Sequence, residues 1–202
     1  MAHKFRAFKQ NDLFRPDFDR MAFNACVGDN GGPYDLYDYA HGYFDATRLL
    51  LKAVGTERGF INDLLVYPIC LNFRHSIELF IKYLISDLKT LTRSDAKFRT
   101  THSLEGNWST AMNLIKRTKL DVDPDEIKLI TRVVTDVMEV DPNGNIFRYP
   151  ESIKGDQHLK DWALVNLAVI GDVFALLSKI AEEWHFKIEG RIEAAIEQQA
   201  NG

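Results

Sequence analysis

Arg74, His75 and Glu78 share one helical turn of the segment "NFRHSIELFIKYLI", residues 72–85. A guanidinium, an imidazole and a carboxylate at that spacing can move a proton or hold an anion. In a helix Arg74 and Glu78 are i, i+4 neighbours, and His75 and Glu78 are i, i+3 neighbours. The positions around them, including Ile69, Phe73, Ile77, Leu79 and Phe80, are apolar, so the triple is expected to be at least half-buried. A buried charge without a partner costs several kcal/mol. Arg74 and Glu78 must therefore satisfy each other or reach another segment. The triple reads equally as a functional site and as an ion pair that sets helix packing, because both perturb ionisable groups.

Two further stretches carry chemistry. His102 opens "THSLEGNW", at the start of a helical pattern, where a single histidine more often caps a helix or faces solvent. Arg148 lies in "DPNGNIFRYPES", between Phe147 and Tyr149, with Pro150 stiffening the loop behind it. A guanidinium on such a platform suits a carboxylate or a phosphate. The alternative is that Arg148 pairs with Glu78 or Asp141 and pins the loop to the body of the protein.

These residues need helices to position them. The pattern predicts five: 34–54, 68–88, 101–118 with Thr101, Ser103 and Glu105 as candidate caps, 121–140 and 158–198. On the first, Leu36, Tyr39, Tyr43, Ala46, Leu50 and Val54 form the expected apolar face. Pro68 is read as the true start of the second helix, after a short turn at 60–67. Asp123-Pro124-Asp125-Glu126 is a strong start for the fourth, and His158 is a candidate cap for the fifth. No segment alternates as a strand would. The expected fold is all-α, an up-and-down bundle of four to five helices with the very apolar 158–180 segment innermost, against 68–88. Residues 1–33 lack periodicity and end in the breaker "GDNGGP", so they read as an N-terminal extension to a domain over 34–200. Phenylalanines at 5, 8, 14, 18 and 23 imply that the extension packs on its own domain or on a partner chain.

Bulk properties narrow the function classes. The chain has 202 residues, 46% hydrophobic and 27% charged, with a formal net charge of −4. That balance fits a folded soluble domain and gives no global attraction for nucleic acid. Cys26 and Cys70 fit neither a disulfide framework nor a metal-ligand spacing. No Gly-rich phosphate loop or nucleophile elbow is present. A di-iron bundle repeats Glu-x-x-His, whereas here only the reversed His75-x-x-Glu78 occurs, once, so neither metal nor cofactor is expected. The N-terminal "MAHKFRAFKQND" has no apolar leader core, so a cytoplasmic location is expected. The stretch 162–181 approaches spanning length, but Asn166, Asp172 and Lys179 interrupt it, so no membrane partner is expected.

Taken in order, "YPICLNFRHSIELFIKYLI", "THSLEGNW" and "DPNGNIFRYPES" resemble bacterial HEPN-like helical proteins, over roughly residues 36–180. The matching residues are Arg74, His75, Glu78, His102, Arg148 and Tyr149. The resemblance implies a four- or five-helix bundle, often a homodimer, from prokaryotic defence (phage defence included), toxin–antitoxin or stress systems. Many such domains are metal-independent ribonucleases, whose hallmark is an arginine and a histidine separated by four to six residues. This sequence lacks that pair, so the family's catalytic assignment does not transfer. A substitute site would use His75 or His102 as base and Arg74 or Arg148 as phosphate clamp. The missing hallmark and the acidic charge favour a module that binds RNA, a nucleotide or a protein partner through Arg74, Glu78, Asp141, Arg148 and Tyr149. The competing expectations are a variant ribonuclease and a purely structural dimerisation domain.

Overall fold

A computed structural model describes residues 10–28, 30–32, 34–56, 59–92 and 103–200. The chain divides into two compact units, Met1–Tyr34 and Asp35–Gly202. In the first, the described residues form one turn of 3-10 helix at Met21–Phe23. Leu13, Phe14, Phe18, Met21 and Phe23 are all exposed there, so this unit has no buried core of its own among the described residues.

Among its described residues, the second unit is all helix, apart from loops and an isolated antiparallel bridge between Glu151 and Gln157. Helix α1 spans Leu36–Lys52 and begins with a capping box. The Asp35 carboxylate accepts from the Tyr37 and Asp38 amides at 2.7 and 2.9 Å, while the Asp38 carboxylate accepts from the Asp35 amide at 2.9 Å. These bonds satisfy amides that have no partner inside the helix. Its buried face is Ala40, Phe44 and Thr47. The expected face is thus displaced by one position, and Tyr39 points to solvent.

Helix α2 spans Gly59–Leu91 without interruption, and Pro68 lies inside it. The break expected at Pro68 does not occur. Proline removes the hydrogen bond to the Leu64 carbonyl, but this part of α2 is open to solvent, with Leu64 55% exposed. Water can stand in for the missing donor there. Helix α3, Leu104–Thr118, is capped by Ser103, whose hydroxyl accepts from the Gly106 amide at 3.1 Å. Helix α4, Pro124–Val140, starts as its sequence predicts, with Asp123 and Glu126 forming a capping box around Pro124.

Helix α5 spans Leu167–Ala200. It starts nine residues later than the expected position 158. Leu159 adopts a left-handed backbone at φ 57°, which a helix does not tolerate. The cap is Asn166, which accepts from the Ala168 and Val169 amides at 2.9 and 3.3 Å, and not His158.

Helix α2 is the central element. It packs against α1, α3 and α5, while α4 leans on α3 and α5. Its second half buries Phe80, Ile81, Leu84, Ile85 and Leu88 almost completely. The innermost place was expected for 158–180. Instead α5 lies on the outside, burying Phe174, Leu177, Ile180, Ala181, Trp184 and Ile188 while Val169, Leu176 and Phe186 face solvent. Side chains tie the layers. Trp108 donates to Thr131 at 3.0 Å between α3 and α4, and Trp184 donates to Glu126 at 2.8 Å between α5 and α4. Gly59–Leu91 is long and apolar enough to cross a membrane, and half of its most apolar stretch is buried within the bundle.

Candidate functional site

The polar turn of α2 meets the loop that follows α4. Arg74 donates from Nη1 to Glu78 Oε2 at 3.0 Å and from Nε to the Asp141 carbonyl at 3.1 Å. Asp141 Oδ2 stands 3.4 Å from Arg74 Nε. The other carboxylate oxygen, Oδ1, accepts from the Asn145 and Ile146 amides at 2.9 and 3.1 Å, which closes the loop into a turn. Lys82 donates to Glu78 Oε1 at 2.8 Å. One buried guanidinium thus joins α2, the end of α4 and the 141–149 loop. The sequence offered Arg148 as the residue that pins this loop; Arg74 does so instead.

Gly144 lets this happen. It adopts φ +75°, and a Cβ there would sit 2.9 Å from Arg74 Nη1. The glycine turn therefore lies directly against the guanidinium, and a side chain at 144 would displace it.

The locked loop presents Arg148 and Tyr149 outward, both exposed. His75 lies one residue from Arg74 on α2 and is half-buried. Its ring packs edge-on against Tyr43 of α1, with centroids 4.4 Å apart. Burial pushes the His75 pKa below the usual histidine value; Glu78 opposes the shift, and the charges of Arg148, Lys82 and Arg74 add to it. His75 is therefore neutral at pH 7 and able to accept a proton. For Glu78, burial works against the charge, but hydrogen bonds from Lys82 and Arg74 outweigh it and lower the pKa.

The expected residues thus separate into two sets. Arg74, Glu78 and Asp141 form a buried scaffold, with the Arg74 guanidinium turned to protein acceptors and not to a ligand. His75, Arg148 and Tyr149 form the accessible part. His102 lies outside the described residues. Tyr43 was read only as part of the apolar face of the first helix, and Lys82 and Gly144 were not singled out from the sequence. Lys82 was legible as the i+4 partner of Glu78, whereas Tyr43 and Gly144 enter only through tertiary contact.

The fold and this site define an all-helical bundle in which a buried ion-pair cluster closes a loop that carries an exposed arginine and tyrosine. No protein-family model, curated protein or solved structure matches the chain. Among the described residues, no group of three or more His, Cys, Asp or Glu is arranged to hold a metal ion.

Proposed function

We propose that this chain is a HEPN-like module that binds single-stranded RNA through the face formed by His75, Arg148 and Tyr149. The observation that carries the reading is the exposed Arg148 guanidinium on a loop locked from beneath by Arg74. A guanidinium carried on a tied-down loop suits a phosphate, and the exposed Tyr149 ring offers a base a stacking surface. A net charge of −4 argues for a local contact and against a broad electrostatic footprint.

A variant ribonuclease is the second reading, favoured by the lowered pKa of His75. A neutral imidazole beside an arginine has the parts to activate a 2′-hydroxyl and hold the adjoining phosphate. Self-association is also proposed, supported by the exposed Leu176 and Phe186 on the outer side of α5. A location in the cytoplasm of a prokaryotic cell, in a defence, toxin–antitoxin or stress system, belongs to the same proposal.

Purified protein in chelator, incubated with labelled single-stranded RNA, tests both readings. Binding that weakens in Arg148→Ala with no cleavage supports the module. Cleavage lost in His75→Ala and Arg148→Ala supports the ribonuclease. Absence of both binding and cleavage overturns both and leaves the dimerisation scaffold.

A further inference from the structure

The segment 157–168, the first turns of α2 and the α1–α2 connection enclose a cleft of about 780 Å³. This volume lies within the range of small-ligand sites, roughly 300–1,000 Å³. Two large aromatic residues line it, Tyr67 of α2 and Trp162 of the irregular segment, 45% and 44% exposed. Val66 and Leu167 add apolar wall. The described lining includes no lysine or arginine, and Asp63 contributes a carboxylate. Such a lining offers phosphate no lysine or arginine partner among the described residues. It accepts a flat aromatic ligand whose amino groups can donate to a carboxylate.

The cleft adjoins the Arg148 loop. His158, one of its lining residues, has Nδ1 2.8 Å from the Tyr149 carbonyl oxygen, and its backbone amide donates to the Pro150 carbonyl at 2.9 Å. The bridge between Glu151 and Gln157 fastens the same two strips of chain together. Arg148 is thus one residue from the carbonyl that holds the cleft wall. On α2, Tyr67 and His75 are eight residues apart, about 12 Å along the axis. A dinucleotide covers that distance.

We infer that this cleft is a nucleobase pocket, which takes an unstacked base of the strand whose phosphate Arg148 holds. This rests on the RNA-binding reading, which supplies the phosphate contact. Tyr67 and Trp162 stack on the base, and Asp63 accepts from an amino-bearing edge. Bases splayed out of a single strand are recognised by this combination of ring stacking and edge hydrogen bonding.

Trp162 is its own reporter. The chain has three tryptophans, and Trp108 and Trp184 are buried, so quenching by a soluble ligand reads Trp162. The full chain is titrated with a short single-stranded RNA, with the same RNA made abasic, and with free nucleoside monophosphates. The pocket predicts quenching by base-bearing RNA and by at least one monophosphate, and none by the abasic strand. Trp162→Ala should weaken RNA binding roughly tenfold or more, and Trp162→Phe should keep affinity while losing the signal. RNA binding that depends on Arg148, with no quenching and no loss in Trp162→Ala, overturns the pocket and leaves the phosphate site standing. Quenching by monophosphates without RNA binding supports the pocket and overturns the RNA reading. No quenching by any base-bearing probe overturns the pocket.

Discussion

At 4% exposure, Arg74 has exchanged water for Glu78 and for the carbonyl and carboxylate of Asp141. Removing one partner of such a buried pair leaves the others uncompensated, so Arg74→Ala should lower stability by about 3–5 kcal/mol in denaturant unfolding. Arg148 is exposed on the same loop. Arg148→Ala should change stability by less than about 0.5 kcal/mol while RNA affinity falls. A large stability loss in that variant would place Arg148 in the scaffold and remove it from the site. Gly144→Ala forces a Cβ toward Arg74 Nη1 and a non-glycine residue to positive φ, with an expected cost of roughly 1–3 kcal/mol. His75 should titrate below 6.5 by NMR, and Arg148→Ala should raise its pKa, because removing a cation makes the imidazolium easier to form. The sequence showed that Arg74 and Glu78 needed partners. It could not show that Asp141, 67 residues from Arg74, would be one of them, because that contact forms only when α4 ends against α2.

Among the elements, the helices with unambiguous chemistry at their ends were the most legible. Asp123-Pro124-Asp125-Glu126 locates the start of α4 because every residue there suits a helix N-terminus. Glu126 has a second role that no local pattern encodes. Its Oε2 accepts from Trp184 Nε1, which ties α5 to the start of α4. Glu126→Ala removes the cap partner and orphans a buried indole donor, so a loss of about 1–3 kcal/mol is expected in thermal or denaturant unfolding. A loss no greater than that of an ordinary surface substitution would mean that this tie adds nothing to the packing of α5. Pro68 and His158 misled for a common reason. Proline is tolerated inside α2 where water can serve the orphaned carbonyl, and His158 is held off the helical path by its amide and its ring, which bond to the Pro150 and Tyr149 carbonyls. Both outcomes depend on what surrounds the segment.

For the molecule as a whole, stability should respond to pH through two carboxylates of opposite sign. Burial lifts the Asp87 pKa from 3.8 to about 6, with Asp35 and Glu189 adding to the shift. The native state therefore resists ionising Asp87, and the penalty grows as pH rises from 3.8 through about 6. Asp87→Asn should stabilise the protein at pH 7.5 by about 1–2 kcal/mol, allowing for the water that still reaches this half-buried group, and should have no effect below about pH 4. Glu78 acts the other way. Its pKa is lowered from 4.5, so its contribution is present above that value and is lost as pH falls below it. Denaturant unfolding from pH 3.5 to 8 in the two carboxamide variants separates these slopes. Self-association through α5 predicts a scattering mass of twice 23.2 kDa at micromolar protein, reduced toward one chain by Phe186→Glu.

Helical periodicity, the acidic and proline-bearing starts and the absence of strand alternation were enough to establish an all-α bundle, because each is a local property of consecutive residues. Which helix lies innermost was not local. The apolar content of 158–180 suited the centre, yet α2 occupies it, because the second half of α2 is buried nearly all round whereas α5 buries one face and leaves Val169, Leu176 and Phe186 in solvent. The same distinction divides the two arginines. Loop stiffness marked Arg148 as an anion binder and the resemblance offered Arg74 as the alternative clamp, but only the tertiary contact of Arg74 with Asp141 and Gly144 buries Arg74, while Arg148 faces solvent.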